Sequence, residues 1–499
     1  MSATATGVSP SDTSGSPEGL SALKRRALSL GAANAFDYGV QFLLPIVLAR
    51  CLDPAAFGQY RLMWLVVMTI MAIAPMSMPQ GLYYFLPRSA PDAKRLYIHQ
   101  ALLFLACAGL ISAFLVSSWN PVLPKSVTAL IEFGGLVPVF VALWVTSCLL
   151  DLLPTVEERV KLQAGITMSM SALRAITLSA GAFLTGSLEV LIWTLVVLMT
   201  LKLSLLLAYV TRFHGLRGPW FQRCEFVAQV RHAAPFGGSS ALYGLRSQAD
   251  QWVAASLFSL GSFAAFSVAA VLGPLVNLFR QSVNHSFLPS MSRQHAGNDI
   301  VGMLKLNSHA NAMVGMLIYP MLAFAFVYAE DMVSLVYTAT YLEAAPVMRL
   351  YIIALCAFVV EVVSIMMLLH EGAFAFKLNL ALIGVSVGLS WFGAHHFGLI
   401  GAAMGSVVAV YIDRLATLQR ISSRTGIPLA SLQDWKTLGQ LILCAALAGE
   451  LAREMTNHYF FMSGHMTRLF IGGSVLACAY GLLLVVMHCG RERLALSFK

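Results

Sequence analysis

Long apolar segments alternate with short polar ones along almost the whole chain of 499 residues. A helix that crosses the ~30 Å hydrocarbon layer of a bilayer needs about 20 predominantly apolar residues. Applied to this pattern, that length predicts fourteen membrane-spanning helices, and hence an all-α polytopic membrane protein. The predicted limits are 27–49, 60–86, 97–117, 128–150, 164–184, 189–209, 234–257, 263–288, 307–329, 346–369, 379–395, 399–417, 438–457 and 467–488.

Composition excludes an ordinary soluble protein. Hydrophobic residues make up 58% of the chain and charged residues 11%, against roughly 25% charged residues in soluble domains. Residues 1–26 are rich in Ser, Thr, Gly and Pro and are predicted to form a disordered tail. The basic cluster Lys24-Arg25-Arg26 comes late and no small-residue cleavage site follows it. The first apolar segment is therefore predicted to be retained as a helix and not removed as a signal peptide.

Basic residues are distributed unequally between the two sides of the predicted bundle. If the N-terminus is cytoplasmic, 22 of the 32 Lys and Arg residues face the cytoplasm, 5 face the other side and 5 lie inside spans. The positive-inside rule then predicts that both termini are cytoplasmic. The net charge of +9 would face anionic inner-leaflet lipid, so no nucleic-acid partner is needed to explain it.

A weak internal repeat relates the first six helices to the next six. The segment "LARCLDPAAFGQY" after helix one resembles "AASLFSLGSFAAF" after helix seven, with Phe57 aligned to Phe263. The helices that follow both end on Phe-Leu-Pro, at 85–87 and 287–289. Two six-helix copies share one orientation, so their pseudo-twofold axis would lie along the membrane normal. Chance similarity between apolar helices is the alternative.

The repeat divides the chain into two six-helix lobes, a connecting cytoplasmic loop, two additional helices and a C-terminal cytoplasmic tail. The predicted limits of these parts are 27–209, 234–417, 210–233, 438–488 and 489–499, respectively.

Three segments carry a family resemblance. "ARCLDPAAFGQYRLMWLV" is similar to the Ala-Arg-x-Leu-Gly-Pro-x-x-Phe-Gly-x-Tyr turn of Wzx-type polysaccharide-repeat flippases, members of the multidrug/oligosaccharidyl-lipid/polysaccharide exporter superfamily. "MVSLVYTATYLEAAPVMRLYIIAL" at 332–355 resembles that family's Tyr-x-x-Ala-x-Pro segment, and "HFGLIGAAMGSVVAVY" at 396–411 resembles its aromatic-Gly-Ile-x-Gly-Ala-Ala helix start. Asp53 replaces the usual Gly and is expected only to alter the turn.

The resemblance implies a bacterial inner-membrane protein that exports undecaprenyl-diphosphate-linked oligosaccharide repeats by alternating access, for exopolysaccharide, capsule or O-antigen synthesis. Its implied partners are the lipid-linked substrate and membrane lipids, with a polysaccharide polymerase and co-polymerase as further candidates. A lipid II flippase or a cation-coupled multidrug antiporter of the same superfamily is the alternative, and a membrane polysaccharide polymerase is a more remote one. No cofactor is predicted, although H⁺ or Na⁺ coupling remains open.

No enzyme motif supports the polymerase alternative. The chain has no GK[ST] phosphate loop, and His370-Glu371 lacks the second His of a zinc-protease helix. A polymerase would need large outer loops for its catalytic groups, and the longest predicted outer loop extends only from about residue 330 to 345. The prediction is therefore a transporter without catalytic residues.

Eight of the charged residues within predicted spans are interpreted as interior charges, and five of them are basic: Asp37, Arg174, Lys202, Arg246, Asp250, Arg280, Arg349 and Glu361. A charge at the bilayer centre costs at least ~2.5–3.5 kcal/mol, so each should face protein or water. The basic excess argues against a cavity for cationic drugs. Arg246 and Asp250, four residues apart, should share one helix face. They form either a self-neutralising pair or a cavity pair in which Asp250 holds Arg246 until an anion arrives.

Four of these cations are the predicted binding residues for a diphosphate or an anionic sugar: Arg246, Arg280, Arg174 and Lys202. For Arg280 and Lys202, extension of the side chain to the cytoplasmic surface is the alternative. Arg349 lies about one turn from the outer end of its helix and is interpreted as an interface anchor.

Three acidic residues are candidates for ion coupling. Asp37 is the lone charge of helix one, and a carboxylate isolated in a cavity could take up a proton or coordinate sodium. Asp250 and Glu361 are the further candidates. For Asp37, pairing with Arg246 or Arg280 is the competing structural account.

Three prolines are hinge candidates. Pro75, Pro79 and Pro274 each fall within a predicted span, where a proline removes a helix hydrogen bond and favours a kink. Such breaks are tolerated in membranes where the backbone lines a cavity.

Overall fold

The computed structural model describes residues 17–121, 123–124, 126–215, 217–460 and 464–497. These residues form α-helices and short 3-10 helices, and no β-strand occurs among them. The predicted all-α class is therefore confirmed. The 3-10 helices are Leu86–Arg88, Val127–Phe133, Cys148–Asp151 and Ala339–Tyr341.

The helices form two bundles in chain order, followed by a C-terminal group. The first bundle contains α1 (Pro17–Cys51), α2 (Pro54–Ile73), α3 (Met78–Phe85), α4 (Pro91–Val116), α5 (Leu136–Ser147), α6 (Leu153–Val156), α7 (Val160–Thr185) and α8 (Leu188–Phe213). The second contains α9 (Arg223–Ser247), α10 (Ala249–Leu257), α11 (Leu260–Ala269), α12 (Leu272–Ala296), α13 (Ile300–Val327), α14 (Ala329–Val336), α15 (Ala344–Phe358), α16 (Val363–Leu368) and α17 (Gly372–Thr425). The last group contains α18 (Leu429–Leu432), α19 (Trp435–Tyr459) and α20 (His465–Ser497).

The helices account for fourteen membrane crossings. Ten segments of the described chain are long and apolar enough to cross a membrane. One of them, α17, folds back at Gly398 (φ 60°, ψ −141°) and supplies two crossings. Its two arms touch at Gly393 and Gly401, where a Cβ on either would overlap the other's carbonyl. The α9–α10 pair, the α15–α16 pair and α19 complete the fourteen; they are more polar or interrupted.

Several predicted boundaries are wrong. Helix α1 begins at Pro17, inside the predicted 1–26 tail, and α20 continues to Ser497 through the predicted 489–499 tail. Good helix formers such as Leu, Ala, Arg and Glu occupy both extensions. Residues 1–16 and 498–499 lie outside the described residues. The loop between the bundles is shorter than the predicted 210–233, because α8 and α9 each extend into it.

The fourth span is also displaced from its prediction. Residues 128–133, which the apolar pattern assigned to the helix, belong to a separate 3-10 helix, Val127–Phe133. Gly134 (φ 57°) and Gly135 follow, and α5 begins only at Leu136. A glycine in the left-handed region favours a turn over continued α-helix.

Equivalent turns support the internal repeat. Asp53 caps the N-terminus of α2, accepting hydrogen bonds from the amides of Ala55 (2.9 Å) and Ala56 (3.0 Å), and Ser259 caps α11. The aligned residues Phe57 and Phe263 are both buried and occupy the same position after the cap: the Phe57 amide donates to the Asp53 carbonyl, and the Phe263 amide to the Ser259 carbonyl. The departure at Asp53 thus supplies a helix cap.

Helix α2 joins the two bundles. It packs against α9 and α11 of the second bundle, while α1 packs on α7 and α5 on α8 within the first. Two glycines make close backbone contacts between the bundles. A Cβ on Gly58 would overlap the backbone of Leu260, and one on Gly237 would lie 2.6 Å from the Met76 carbonyl. Each glycine allows backbones from the two bundles to touch.

Candidate functional site

A break after α9 separates two residues that were predicted to pair. Gln248 (φ −117°, ψ 3°) interrupts the helix, so Arg246 and Asp250 lie on different helices. The predicted Arg246–Asp250 ion pair is not formed. Arg246 Nη1 instead lies 3.2 Å from Asp413 Oδ1 on the second arm of α17. Asp413 is a functional candidate that the sequence pattern did not single out.

Asp250 has a hydroxyl partner and no cation. Its Oδ2 accepts a hydrogen bond of 2.6 Å from Tyr351 Oη, and its Oδ1 accepts one from the Gln251 amide. The side chain is 3% exposed. Among the residues of the described ranges, none forms an ion pair with it. Arg246 and Asp250 nevertheless line the same cavity of about 190 Å³.

Arg280 forms a buried ion pair with Glu361. The two side chains are 11% and 5% exposed, and Arg280 Nη2 also donates to Asn277 Oδ1 (3.1 Å). Glu361 lies in the break between α15 and α16, where its Oε1 accepts from the freed amide of Val363 (2.8 Å). The α15–α16 break thus positions the carboxylate. Arg280 does not extend to the surface, which was the predicted alternative.

Arg414 is a buried cation that the sequence analysis placed in the cytoplasmic surface count. It is 7% exposed, and in the described part of the chain its Nε and Nη1 have no hydrogen-bond partner. Its guanidinium lies 5.0 Å from the ring centroid of Phe358. Its charge is attracted by Asp413 and repelled by Arg246 and Arg280. These three arginines, named here the arginine cluster, come from α9, α12 and α17.

Position within the helix explains why Arg414 was missed. The predicted span ended at residue 417, so Arg414 was counted near a surface, whereas α17 continues to Thr425 and Arg414 lies in the interior of the helix. The signal that could have found it is its neighbour: Asp413-Arg414 places opposite charges on adjacent residues, which point in different directions on a helix.

The remaining predicted cations are paired in the first bundle. Arg174 Nη2 lies 2.9 Å from Asp37 Oδ1, and Ser171 also donates to that carboxylate. Asp37 is therefore not isolated, and its partner is neither Arg246 nor Arg280. Lys202 Nζ lies 2.7 Å from Asp151 Oδ2, and the Asp151 side chain is 60% exposed. The structure keeps these two residues apart from the arginine cluster.

The hinge candidates lie near real breaks. Pro75 directly precedes Met76 (φ 45°) and Ser77 (φ 56°), two residues in the left-handed region that separate α2 from α3. Pro79 is in the first turn of α3, and Pro274 is in the first turn of α12. Their role as hinges stays a prediction.

The carboxylate of Glu371, outside the membrane spans, binds two arginines near the end of α17. Glu371, 5% exposed, accepts hydrogen bonds from Arg420 Nε (2.9 Å) and from Arg424. The hydrogen bond from Arg420 is the main cause that holds the pKa of Glu371 below its usual value, and the bond from Arg424 adds to it, against the opposing effect of burial. Two arginines of the cytoplasmic count are thus structural.

Comparison with known families and structures agrees with this architecture. The model of a family described as "Polysaccharide biosynthesis protein" matches residues 47–346. The chain belongs to this family. The resemblance to Wzx-type flippases is confirmed at the level of family and fold. No curated protein matches the sequence.

Several transporters of known structure have the same fold as this protein. The structure "Lipid II flippase MurJ, inward closed conformation" is 14% identical, with a TM-score of 0.68, and the match covers 93% of this chain and 99% of that one. An inward-facing multidrug resistance MATE family transporter of the MOP superfamily is 15% identical, with a TM-score of 0.57 over 78% and 95%. A MATE structure in complex with MaL6 is 13% identical, with a TM-score of 0.53 over 81% and 97%. The fold is thus that of multi-pass membrane flippases and transporters.

Proposed function

We propose that this protein moves an undecaprenyl-diphosphate-linked oligosaccharide from the cytoplasmic to the periplasmic leaflet of a bacterial inner membrane. The observation that carries the proposal is Arg414, a buried guanidinium that forms no ion pair in the described part of the chain, beside two others that do. A buried charge left unpaired is costly. A binding site for an anion explains why the protein retains it.

A diphosphate fits the arginine cluster. Guanidinium groups present planar pairs of N–H donors that match phosphate oxygens, and burial in low dielectric strengthens the contact. Arg414 contributes unused donors, and Arg280 Nε is likewise buried without a partner in the described structure. Glu361 and Asp413 hold the other two arginines in place until an anion enters.

An apolar groove supplies a place for the lipid chain. It lies between α13, α19 and α20, with a volume of about 900 Å³. Met313, Met316 and Leu484 line its length, and Lys305, His309 and Asp434 line one end. A groove that is apolar along its length suits a polyprenyl chain.

Asp250 is the favoured coupling residue. Arg246 and Arg280 are balanced by Asp413 and Glu361, so the protonation state of Asp250 sets the remaining charge of the region. With Asp250 neutral, Arg414 leaves one net positive charge; with Asp250 ionised, that charge is cancelled. Proton or sodium binding at Asp250 would thereby change the affinity for an anion. Asp37, held by Arg174, remains a second candidate.

The test compares Arg414→Gln with the matched control Arg453→Gln. Arg453 is 55% exposed and pairs with an exposed Glu450, so its removal should change little. Undecaprenyl diphosphate binding to each purified protein in nanodiscs, and export in cells lacking the native gene, are measured. Arg414→Gln should weaken binding about tenfold or more, because a hydrogen bond to a charged group contributes about 1.5–3 kcal/mol. Wild-type binding and export by Arg414→Gln would refute the proposal.

A further inference from the structure

A second cavity lies between the two bundles, apart from the arginine cluster. It has a volume of about 330 Å³ and is enclosed by α1, α2, α5, α7 and the junction of α9 with α10. This size is at the lower end of the ~300–1,000 Å³ typical of small-molecule sites. It suits one sugar ring and not a whole oligosaccharide. Its polar and aromatic lining includes Gln41, Tyr60, Arg61, Trp64, Trp144, Arg174, Gln248 and Gln251.

Arg61 gives this cavity an uncompensated positive charge. Its Nε donates to Ser267 Oγ (2.9 Å) and its Nη2 to the Ser267 carbonyl (3.3 Å). A guanidinium has five N–H donors, so most of them remain unused. No acidic side chain in the described ranges pairs with Arg61. Arg174, the other cation of the lining, is already neutralised by Asp37.

Aromatic rings border Arg61. Trp64 and Trp144 have ring centroids 5.1 Å apart and planes at 85°, and the Tyr60 ring lies 6.2 Å from Trp64. Rings that meet edge to face leave part of a face uncovered, and such a face is an apolar surface. One side of a pyranose ring consists of C–H groups, which pack on a surface of this kind.

Side-chain amides complete the lining. Gln41, Gln248 and Gln251 each carry donors and an acceptor that match sugar hydroxyls. Gln248 comes from the α9–α10 break and accepts a hydrogen bond of 2.8 Å from Thr69 on α2. A molecule in this cavity therefore touches both bundles.

We propose that this cavity is a subsite for one acidic pyranose of the carried oligosaccharide. Arg61 binds the sugar carboxylate in bidentate fashion, Trp64 and Trp144 pack against the ring, and the glutamines hydrogen-bond to the hydroxyls. The inference rests on the proposed function, since it describes the saccharide of that same substrate. It adds that the saccharide contains a uronic acid or a similar carboxylated sugar.

Free sugars test the subsite without the lipid. Saturation-transfer difference NMR is recorded on the purified full-length protein with sodium glucuronate and, separately, with glucose. The wild type should give a signal with glucuronate and at most a weak one with glucose. Arg61→Gln should lower the affinity for glucuronate about tenfold or more, because the charged hydrogen bonds are lost. Arg453→Gln is the control and should bind as the wild type does.

Each outcome decides the proposal. Equal signals from glucose and glucuronate, no glucuronate signal from the wild type, or undiminished binding by Arg61→Gln would overturn it. If Arg61→Gln is not recovered as a folded protein, Trp64→Leu takes its place and should weaken glucuronate binding. Arg414→Gln should retain glucuronate binding while losing undecaprenyl diphosphate. Loss of only one ligand in each variant separates a failure of the subsite from a failure of the proposed diphosphate site.

Discussion

The three arginines of the cluster differ in their interaction partners. Arg246 has Asp413 and Arg280 has Glu361, whereas Arg414 has the face of Phe358 and unused donors. A paired cation keeps its charge with little net cost, and an unpaired one reduces the stability of the fold. Function and stability should therefore respond differently to substitution at each position.

Paired methionine substitutions measure this difference. Arg280→Met leaves Glu361 buried without a cation, which typically costs about 3–5 kcal/mol. Arg414→Met removes the uncompensated charge and should raise the melting temperature by about 2 °C or more, since apolar replacements of buried charges are often stabilising. Thermal unfolding of the two purified proteins gives the comparison. Equal destabilisation by both variants would contradict the charge assignment.

Sequence analysis identified most of these charges but none of the ion pairs that they form. A charged residue inside an apolar span stands out in a sequence, because the free-energy cost of inserting a charge into the membrane makes such residues rare. Those that occur are at functional or paired positions. The partner is set by packing: Asp37 and Arg174 lie 137 positions apart, and Lys202 and Asp151 lie 51 apart. The only pair proposed from local spacing, Arg246 with Asp250, is separated by a helix break.

At the level of helices, the interruptions position the functional groups. The break at Gln248 turns Arg246 and Asp250 to different neighbours, and the α15–α16 break frees amides that hold Glu361. The spans themselves were predictable because bilayer thickness determines their length. Their interruptions were not, since only some prolines coincide with them: Pro75 precedes a break, whereas α13 runs through Pro320 without one.

Two adjacent glycines on α9 test the contact at the α2–α3 break. Gly237→Leu would push its side chain into the Met76 backbone and should separate the bundles there. Gly238→Leu is the matched control, because nothing lies within 4 Å of a Cβ at that position. Spin labels on Tyr84→Cys and Phe236→Cys, in a background without native cysteines, report the distance. The distance should lengthen only with Gly237→Leu. Equal distances in the two variants would show that a side chain at position 237 does not separate the bundles.

The two bundles meet along α2, and glycines form two of their close backbone contacts. Gly58 meets Leu260 where α2 begins, and Gly237 meets Met76 where α2 ends. The arginine cluster is built largely from the second bundle, whereas the Arg61 cavity lies between the bundles. Motion of one bundle against the other should therefore change the Arg61 cavity first.

Membrane orientation is the prediction for the whole molecule. Reporter fusions should show cytoplasmic activity after residues 90, 220, 297 and 425, and periplasmic activity near 122 and 338. The expected pattern follows from the excess of basic residues on one side. A periplasmic signal at 220 would contradict an even number of crossings in the first bundle.

The unpaired charge of Arg414 also has an electrical consequence. With Asp250 neutral, the empty cluster carries one net positive charge, and a bound dianion changes it to one net negative charge. A membrane potential acts on each charge with about 2.3 kcal/mol per 100 mV. In a cell with a negative interior, the loaded site is then driven outward and the empty site is driven back inward. At the diphosphate site, the charge of Arg414 would thereby let the potential assist both halves of the cycle.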